Sequence, residues 1–229
     1  NDAPTLGDAG GTLPFTENGG ATAIDGSLSV ADVDDTHIES AAITISSGYV
    51  SSEDVLGFRA QNGISGIWNS ESGVMSLSGT SSKANYETAL ESLTYNNTSE
   101  DPNTSARTIT WVINDGYENS SAVTSTVSVS VVNDAPTIAI NTGVSVARAG
   151  SVIITASFLK EGDPDDSGAG LTYAVISTPV NGQLELTTGA GVAIANFSQE
   201  DIDNSRVIYK HDGSESLEDS FAFSLADGG

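Results

Sequence analysis

The sequence predicts an all-β protein made of two tandem antiparallel Greek-key β-sandwich domains, the second lacking its final strand. Apolar residues alternate with polar ones in short stretches, for example at Ile109, Trp111 and Ile113. A period of two is typical of strands that bury one face. The pentapeptide Asn-Asp-Ala-Pro-Thr occurs at Asn1 and again at Asn133. A motif that returns after the length of one ordinary domain indicates a modular array.

The repeat predicts one domain over residues 1–132 and a second domain over residues 133–229. The two parts share further motifs in the same order. Ala84-Asn85-Tyr86 matches Ala195-Asn196-Phe197, and Tyr95 matches Tyr209. We therefore expect one topology to be used twice.

In the first domain, the turns come from Asn and Gly. Asn18-Gly19-Gly20 and Asn62-Gly63 favour tight turns, because both residue types tolerate positive φ angles. Residues 86–93 are predicted to form a short helical turn, because four apolar side chains share one face. These are Tyr86, Ala89, Leu90 and Leu93.

The end of the first domain is predicted to be two strands joined by a turn. Residues 108–114 form the first strand, and Asp115-Gly116 forms the turn. Residues 124–132 form the second strand, with Val127, Val129 and Val131 on its buried face.

The second domain is predicted to lack its final strand. Turns are expected at Asn181-Gly182 and Asp212-Gly213, and a strand is expected at residues 221–225. The strand at residues 124–132 of the first domain has no equivalent in the second domain. An unfinished sandwich exposes a strand edge and part of its core. We expect this domain to be partly open, or a strand from a neighbouring chain to fill the gap.

The charge balance restricts the partners. The chain has 31 acidic and 7 basic residues, a net charge of −24. Phosphates would be repelled, which excludes nucleic acid and disfavours anionic membrane surfaces. No apolar run is long enough to insert in a membrane. The chain has no cysteine. Metal ions rather than disulfides would therefore stabilise the connections between domains.

Two acidic motifs are candidates for metal binding, Asp32-Val33-Asp34-Asp35 and Asp163-Pro164-Asp165-Asp166. In an extended segment, residues i and i+2 project to one side, roughly 6–7 Å apart. Carboxylates at this distance repel one another unless a cation lies between them. Oxygen donors without His or Cys indicate Ca²⁺, which takes about 6–8 oxygens, so other segments must converge. The alternative is that these residues form turns or a solvated edge.

Four segments carry a resemblance to a known family: Asn133-Asp134-Ala135-Pro136, Thr16-Glu17-Asn18, Asp163-Pro164-Asp165-Asp166 and Ala226-Asp227-Gly228-Gly229. They are similar to the linker, the first strand, the loop after the second strand and the penultimate strand of the cadherin superfamily. The chain most closely resembles the cadherin-like tandem repeats of large bacterial surface adhesins of the RTX type. Its second half, with residues 207–212, also resembles the repeats of chondroitin sulfate proteoglycans.

The resemblance implies Ca²⁺ at the joint between the domains and a related, incomplete site at the start of the first domain. The ligands implied at the joint are Glu17, Asn133, Asp134, Asp163, Asp165 and Asp227. Those implied at the incomplete N-terminal joint are Asp2, Asp32, Asp34 and Asp115.

Two departures from the family pattern limit this expectation. The Leu-Asp-Arg-Glu segment of cadherins has no clear match, which implies fewer ions per joint. Arg148 stands where the first domain has Glu17. We therefore expect no equivalent site beyond the second domain.

The chain is therefore predicted to be a secreted, calcium-rigidified spacer of a bacterial cell-surface adhesin, cut from a longer protein, with neighbouring repeats as its partners. The alternative is a calcium-dependent carbohydrate-binding module that uses exposed aromatics such as Trp68 or Tyr117. We do not expect an enzyme. The two histidines, His37 and His211, lie in unlike contexts, and no carboxylate pair is singled out for glycoside hydrolysis.

Overall fold

The computed structural model describes residues 1–229, which are nearly all β, with 44 % of residues in strands and 9 % in helices. The predicted fold class is confirmed. The chain divides into two compact units, Asn1–Val132 (unit 1) and Asn133–Gly229 (unit 2). None of its helices is both long and apolar enough to cross a membrane.

Unit 1 contains eleven strands and one helix. In chain order they are β1 (Thr5–Gly7), β2 (Thr12–Thr16), β3 (Thr22–Ala23), β4 (Ser29–Ala31), β5 (His37–Ser47), β6 (Asp54–Gly57), β7 (Ser65–Asn69), β8 (Val74–Ser82), α1 (Lys83–Glu91), β9 (Thr94–Asn97), β10 (Arg107–Asn114) and β11 (Val123–Ser130).

Three sheets surround the core of unit 1. Their strand orders are β2-β11-β10-β5-β8-β7, β3-β9-β6 and β1-β4. Ile109, Trp111 and Ile113 of β10 are fully buried, as their alternation predicts. Phe15 and Tyr95 bring two of the sheets together in an edge-to-face contact, with ring centroids 5.0 Å apart.

One strand pair departs from the antiparallel prediction. β11 pairs in parallel with β2, with Val127 opposite Leu13 and Val129 opposite Phe15. Parallel neighbours need a long connection between them, and the rest of unit 1 supplies it. β11 also ends at Ser130, so Val131 is 47 % exposed and the prediction that it faces the core was wrong.

The predicted short helix and tight turn are both present. α1 begins after Ser82, whose hydroxyl accepts the N–H of Asn85, and it buries Tyr86 and Leu90. Such a cap satisfies one of the free N–H groups at a helix start. At Asn62-Gly63 both residues have positive φ angles, 51° and 79°. Positive φ at both positions is typical of the type I′ hairpin turn.

Unit 2 contains eight strands, one α-helix and two 3-10 helices, which span Gly168–Gly170 and Thr187–Gly189. In chain order the strands and the α-helix are β12 (Ile138–Asn141), β13 (Ser151–Ile153), β14 (Leu159–Glu161), β15 (Thr172–Ser177), β16 (Gly182–Leu186), β17 (Asn196–Ser198), α2 (Gln199–Asp203), β18 (Val207–His211) and β19 (Ala222–Ala226).

The sheets of unit 2 repeat those of unit 1. The orders β12-β14, β13-β18-β16 and β17-β15-β19 correspond to β1-β4, β3-β9-β6 and the β8-β5-β10 part of the large sheet. The core is smaller and includes Tyr173 stacked on Phe197 with ring centroids 4.9 Å apart.

Unit 2 has no counterpart of β11, as predicted. β19 pairs with β15 on one edge and with no strand on the other. Residues 142–147, which follow β12 as β2 follows β1, lie in no strand. The physical reason is visible in unit 1, where β2 pairs with β11 alone. Without that partner the segment has no ladder to join.

Candidate metal centres

In unit 1, the loop after β4 brings three carboxylates together. Asp32 Oδ1 accepts the backbone N–H groups of Asp34 and Asp35 at 3.1 and 2.8 Å. These bonds curl the loop as in an Asx turn. One oxygen from each of Asp32, Asp34 and Asp35 then lies within 4.8 Å of the others. Three negative charges at this distance repel one another unless a cation offsets them.

The N-terminal pentapeptide closes this cluster. The backbone N–H of Asp2 lies 3.2 and 3.1 Å from the two carboxylate oxygens of Asp34. The side-chain amide of Asn1 donates to Asp115 Oδ2 at 2.9 Å. The pentapeptide therefore joins the loop after β4 to the loop after β10.

Two carboxylates at this site, Asp115 and Asp34, are held in their ionised form by hydrogen bonds. The side-chain amide of Asn1, together with the N–H groups of Glu118 and Tyr117, keeps the pKa of Asp115 below its usual value. The N–H of Asp2 is the main cause that lowers the pKa of Asp34. Hydrogen bonds to an anion favour its charged form. The site is therefore anionic at neutral pH.

Unit 2 builds a matching loop. Asp163 Oδ1 accepts the N–H groups of Asp165 and Asp166 at 2.9 and 2.8 Å. The N–H of Asp134 donates to Asp165 Oδ2 at 2.7 Å. These three bonds repeat those of Asp32 and Asp34 in unit 1. The second pentapeptide thus occupies the same place as the first.

The loop after β19 completes the match. The side-chain amide of Asn133 donates to Asp227 Oδ2 at 2.9 Å, and the N–H of Gly229 donates to Asp227 Oδ1 at the same distance. The N–H of Gly229, and next the amide of Asn133, lower the pKa of Asp227. Asp227 therefore has the same role in unit 2 that Asp115 has in unit 1.

Three carboxylate oxygens are buried without a hydrogen-bond partner: Asp32 Oδ2, Asp163 Oδ2 and Asp165 Oδ1. In Asp32 and Asp163 the other oxygen, Oδ1, accepts the hydrogen bonds of the turn. The turn gives no hydrogen bond to the three buried oxygens. Burying an unpaired anionic oxygen is costly unless a cation offsets it. The donors are all oxygens, which suits a hard cation such as Ca²⁺. The residues present therefore fit the ion that the sequence predicts.

The remaining predicted residues lie elsewhere in their units. Glu17 follows β2, and its Oε1 accepts the N–H of Val132 at 2.7 Å. Because Glu17 belongs to unit 1, the six-residue joint set draws on both units and stays a prediction. Arg148 donates to the carbonyl of Gly213 at 2.7 Å and pairs with Glu215 at 3.4 Å.

The sequence reasoning left Asp35 out of the ligand set, although its carboxylate belongs to the unit 1 cluster. Asp166 holds the same position in unit 2. Each acidic motif ends in two consecutive Asp residues, and this recurrence in both motifs could have indicated Asp35 and Asp166 as further ligands.

The two aromatic residues considered for carbohydrate binding, Trp68 and Tyr117, differ in their exposure. Trp68 packs partly buried against the core, edge-on to Tyr49, with ring centroids 6.1 Å apart. Its neighbour Ile67 is 73 % exposed, because successive residues of a strand face opposite sides. Tyr117 is 80 % exposed.

Comparison with protein families gives one match, to part of the chain. The model of a family described as cadherin-like matches residues 136–229. Residues 136–229 are therefore similar to a cadherin-like family. The match lies within unit 2, where the sheets correspond in order to those of unit 1.

The similar curated proteins are large animal proteins. The chain is 30 % identical over 118 residues to human FRAS1-related extracellular matrix protein 1, a match that covers 52 % of this chain and 5 % of the relative. It is 33 % identical over 123 residues to mouse extracellular matrix organizing protein FRAS1, with coverage of 52 % and 3 %. It is 34 % identical over 110 residues to human chondroitin sulfate proteoglycan 4, with coverage of 48 % and 5 %. The chain therefore spans only a few per cent of these relatives.

Similar solved structures include cadherin ectodomains. Protocadherin gamma B2 domains 3–6 match with a TM-score of 0.36 and 16 % identity, covering 100 % of this chain and 48 % of that one. Human CDH23 EC21–23 matches with a TM-score of 0.35 and 10 % identity, covering 98 % and 63 %. Both scores are low, so these two matches carry no further argument about site or function.

Proposed function

We propose that the chain is an extracellular spacer segment in which Ca²⁺ binds at the joint between two cadherin-like repeats. One observation carries the proposal: the same hydrogen-bonded acidic cluster is built twice, from the same positions of each repeat. In both copies the Asp that closes the turn keeps a buried oxygen without a partner. Burying an anionic oxygen at the equivalent position of both repeats is costly unless a cation offsets its charge.

The proposed joint site combines residues of unit 2 with one carboxylate of unit 1. Glu17 is the proposed contribution of unit 1, because it is bonded to Val132, the residue before Asn133. The other proposed ligands are Asn133, Asp134, Asp163, Asp165 and Asp227. The equivalent site of unit 1 would use Asp2, Asp32, Asp34 and Asp115, with Asp35 added. It has no partner carboxylate from another repeat among residues 1–229 and should bind more weakly.

Calcium would supply positive charge where carboxylates otherwise repel. Without it, repulsion between the acidic loops would let the linker hinge. With it, the linker and both repeats would share one set of ligands and form a straight, stiff rod. The binding free energy would then add to the folding free energy. Pro136 would stiffen the chain directly after the ligands, since its φ angle is restricted.

The setting we propose is the surface of a cell or an extracellular matrix, where calcium is abundant and neighbouring repeats are the partners. The names of two of the similar proteins describe extracellular matrix proteins. A bacterial surface adhesin is the specific setting that we predict. The relatives compared above are animal proteins, so this part of the proposal depends on the resemblance of the motifs.

Calorimetric unfolding of the whole chain in Ca²⁺ and in a chelator tests the site. At a calcium concentration of about 100 Kd, binding to the folded state should add about 2.7 kcal/mol to the free energy of unfolding. Mg²⁺ is the control, because it prefers octahedral sites that keep several waters and should stabilise less. An unchanged melting temperature in Ca²⁺ would exclude the proposal.

A distance measurement tests the mechanical role. The chain has no native cysteine, so Ser72→Cys and Leu217→Cys would place one spin label on an exposed position of each unit. We expect a broad distance distribution in chelator and a narrow one in Ca²⁺. A distribution that calcium leaves unchanged, in a chain that calcium stabilises, would retain the metal site and reject the stiffening role.

Calcium-dependent carbohydrate binding is the second candidate, and Tyr117 is the observation that favours it. Its ring is 80 % exposed, and its backbone N–H donates to Asp115 at 2.7 Å, beside the acidic cluster of unit 1. Glycan-array binding that Tyr117→Ala abolishes and Asp134→Asn leaves intact would favour this role over that of a spacer.

A further inference from the structure

The acidic loops of the two units share their hydrogen bonds, but the helix beside each loop begins with a different residue. Helix α1 begins at Lys83, directly after the capping residue Ser82. Helix α2 begins at Gln199, directly after the capping residue Ser198. In both units the capping hydroxyl accepts the N–H of the third helical residue. Lys83 and Gln199 therefore occupy equivalent positions.

Lys83 holds the acidic loop of unit 1 through the backbone of that loop. Its ammonium group donates to the carbonyl oxygens of Asp32 and Asp35 at 2.7 and 2.8 Å. These two residues are also the ends of the turn, because Asp32 Oδ1 accepts the N–H of Asp35. One cationic side chain thus joins both ends of the loop and brings a positive charge close to its three clustered carboxylates.

Gln199 makes other contacts in unit 2. Its side-chain oxygen accepts the hydroxyl of Tyr173 at 2.7 Å and the N–H of Glu161 at 3.3 Å. Its side-chain amide donates to Asp203, on its own helix, at 2.9 Å. These bonds do not involve residues 163–166, and the buried Gln199 side chain carries no charge.

A second difference makes the surroundings of the unit 2 loop more negative. Leu6 and Ile138 each follow a copy of the pentapeptide, and they pair with Val30 and Glu161 respectively. Val30 and Glu161 are therefore equivalent positions, and both are buried. Glu161 Oε2 accepts the N–H of Asp163 at 2.7 Å. The carboxylate of Glu161 therefore lies beside the acidic loop.

The formal charges around the two loops differ by two units. The three Asp carboxylates of the unit 1 loop and the ammonium of Lys83 together give −2. The three Asp carboxylates of the unit 2 loop and the carboxylate of Glu161 together give −4. Pro164 restricts one φ angle of the unit 2 loop, but it offsets no charge. Repulsion is therefore stronger in unit 2.

We propose that Lys83 is a positioning residue that orders the acidic loop of unit 1 without calcium, whereas the loop of unit 2, with Gln199 and Glu161 in its surroundings, depends on calcium for its order. Because these loops belong to the proposed calcium sites, this role rests on the proposed function. As calcium falls, the loop of unit 2 opens while that of unit 1 stays folded.

NMR relaxation of the whole chain tests the difference between the units. In chelator, the backbone order parameters of Asp34 and Asp35 should be about 0.85, the value of rigid backbone. Those of Asp165 and Asp166 should lie below about 0.6 in chelator and rise to about 0.85 in saturating Ca²⁺. Equal order of the two loops in chelator would overturn the proposal.

Lys83→Met removes the ammonium group and keeps a long side chain. In chelator it should lower the order parameters of Asp34 and Asp35 below about 0.6, and Ca²⁺ should restore them. Lys83→Arg should retain the order, because a guanidinium also donates several N–H groups. Lys210→Met is the matched control, since Lys210 lies in unit 2 and pairs with Glu185 at 3.9 Å.

Two results with Lys83→Met would overturn the role of Lys83. The first is a loop that stays ordered in chelator. The second is a loss of order that Ca²⁺ does not reverse, which would mean that Lys83 only supports the start of α1.

Glu161→Gln tests the extra charge of unit 2. The amide oxygen can still accept the N–H of Asp163, but one negative charge is lost. In chelator the order of Asp165 and Asp166 should increase, and the calcium dissociation constant at this loop should rise about threefold. Glu218→Gln, on an exposed residue, is the control. Equal effects of both variants would assign the change to the net charge of the chain and overturn the role of Glu161.

The outcomes distinguish this role from the proposed function. If Lys83→Met leaves the loop ordered in chelator while Ca²⁺ still stabilises the chain, the role of Lys83 fails and the spacer function stands. If Ca²⁺ changes neither the melting temperature nor the order of unit 2, the proposed function fails together with the calcium dependence of unit 2. Lys83→Met in chelator then still decides whether Lys83 orders the loop of unit 1.

Discussion

The side-chain amide of Asn133 donates a hydrogen bond of 2.9 Å to Asp227, and so ties the first residue of unit 2 to the loop after its last strand. Asn1 and Asp115 form the same bond, at the same distance, in unit 1. In each unit, the first residue of the repeated pentapeptide therefore joins the start of the unit to the loop after β10 or β19. We call this hydrogen bond the clasp. It holds the carboxylate of Asp115 in unit 1 and that of Asp227 in unit 2 in a fixed orientation.

Asn133→Ala should raise the pKa of Asp227 toward its ordinary value, because the amide is one of the groups that lowers it. The free energy of unfolding of unit 2 in chelator should fall by about 0.5–1.5 kcal/mol, the usual net contribution of a hydrogen bond. NMR titration and thermal melts measure both effects. Asn1→Ala is the control and should act on Asp115 instead. An unchanged titration of Asp227 would show that the clasp is not formed in solution.

Asp163→Asn distinguishes the role of this side chain in the turn from its proposed role as a metal ligand. The amide oxygen can still accept the N–H groups of Asp165 and Asp166, but the buried charged oxygen is lost. Stability in chelator should change little, while calcium affinity should fall at least tenfold, or about 1.4 kcal/mol. Titration calorimetry measures the affinity. Glu218→Gln, on an exposed residue away from the acidic loop, should leave it unchanged.

Asp54→Ala should be strongly destabilising. Asp54 and Arg107 form a 3.0 Å ion pair in which both side chains are fully buried. Asp54 also accepts the hydroxyl of Tyr95 at 2.6 Å. Removing one member of a buried pair typically costs about 3–5 kcal/mol, because a buried charge is left uncompensated. Urea unfolding of unit 1 measures the loss.

The double variant Asp54→Leu with Arg107→Met tests this explanation. Replacing both charges with apolar groups should cost less than the sum of the single changes, since the one carboxylate that loses its partner, Glu53, is partly exposed and no fully buried charge remains unpaired. Strict additivity would mean that the ion pair contributes no coupling energy.

Asp25 should make the stability of unit 1 dependent on pH. Burial alone would raise the pKa of Asp25, but hydrogen bonds from Ser125, Ser27 and Gly11 together hold it below its usual value. A depressed pKa in the folded state contributes stability above the unfolded pKa of about 3.9, and this is lost as the pH falls through the folded value. Unfolding free energies should therefore decline as the pH is lowered below about 4.

Ser125→Ala tests this assignment, because its hydroxyl donates to Asp25 at 2.6 Å and accepts the indole N–H of Trp111 at 3.1 Å. The variant should raise the pKa of Asp25, and the part of its destabilisation that comes from Asp25 should shrink below about pH 4. Ser128→Ala, on the exposed face of β11, is the control and should show no such trend. A deficit that is independent of pH would assign the whole effect to Trp111.

Local pattern was sufficient for several elements of the fold. The alternation at Ile109, Trp111 and Ile113 predicted a strand with one buried face, because successive side chains of a strand point to opposite sides. The turn at Asn62-Gly63 followed from the two residue types that tolerate positive φ. The matching motifs of the two halves predicted that β19 would lack a partner on one edge.

Contacts distant in sequence were not predictable in this way. The parallel pairing of β2 with β11 depends on how the whole unit folds. Arg107 gave no signal of complete burial, because the carboxylates that make that burial tolerable, Asp54 and Glu53, lie far from it in the sequence. Val131 continues the alternation of β11, yet it is exposed because the strand ends one residue earlier.

For the metal centre, the sequence by itself determined which residue types recur and in what order, including the acidic motifs and the pentapeptide. Only the tertiary structure decided which carboxylate oxygens already accept hydrogen bonds and which remain without a partner. Hydrogen bonds from Asn1 and Asn133 occupy one oxygen of Asp115 and of Asp227, while one oxygen of Asp32 and of Asp163 stays buried and unpaired. The physical reason is that a cation needs convergent free oxygens, and convergence arises only when loops from several strands meet at one end of a sandwich.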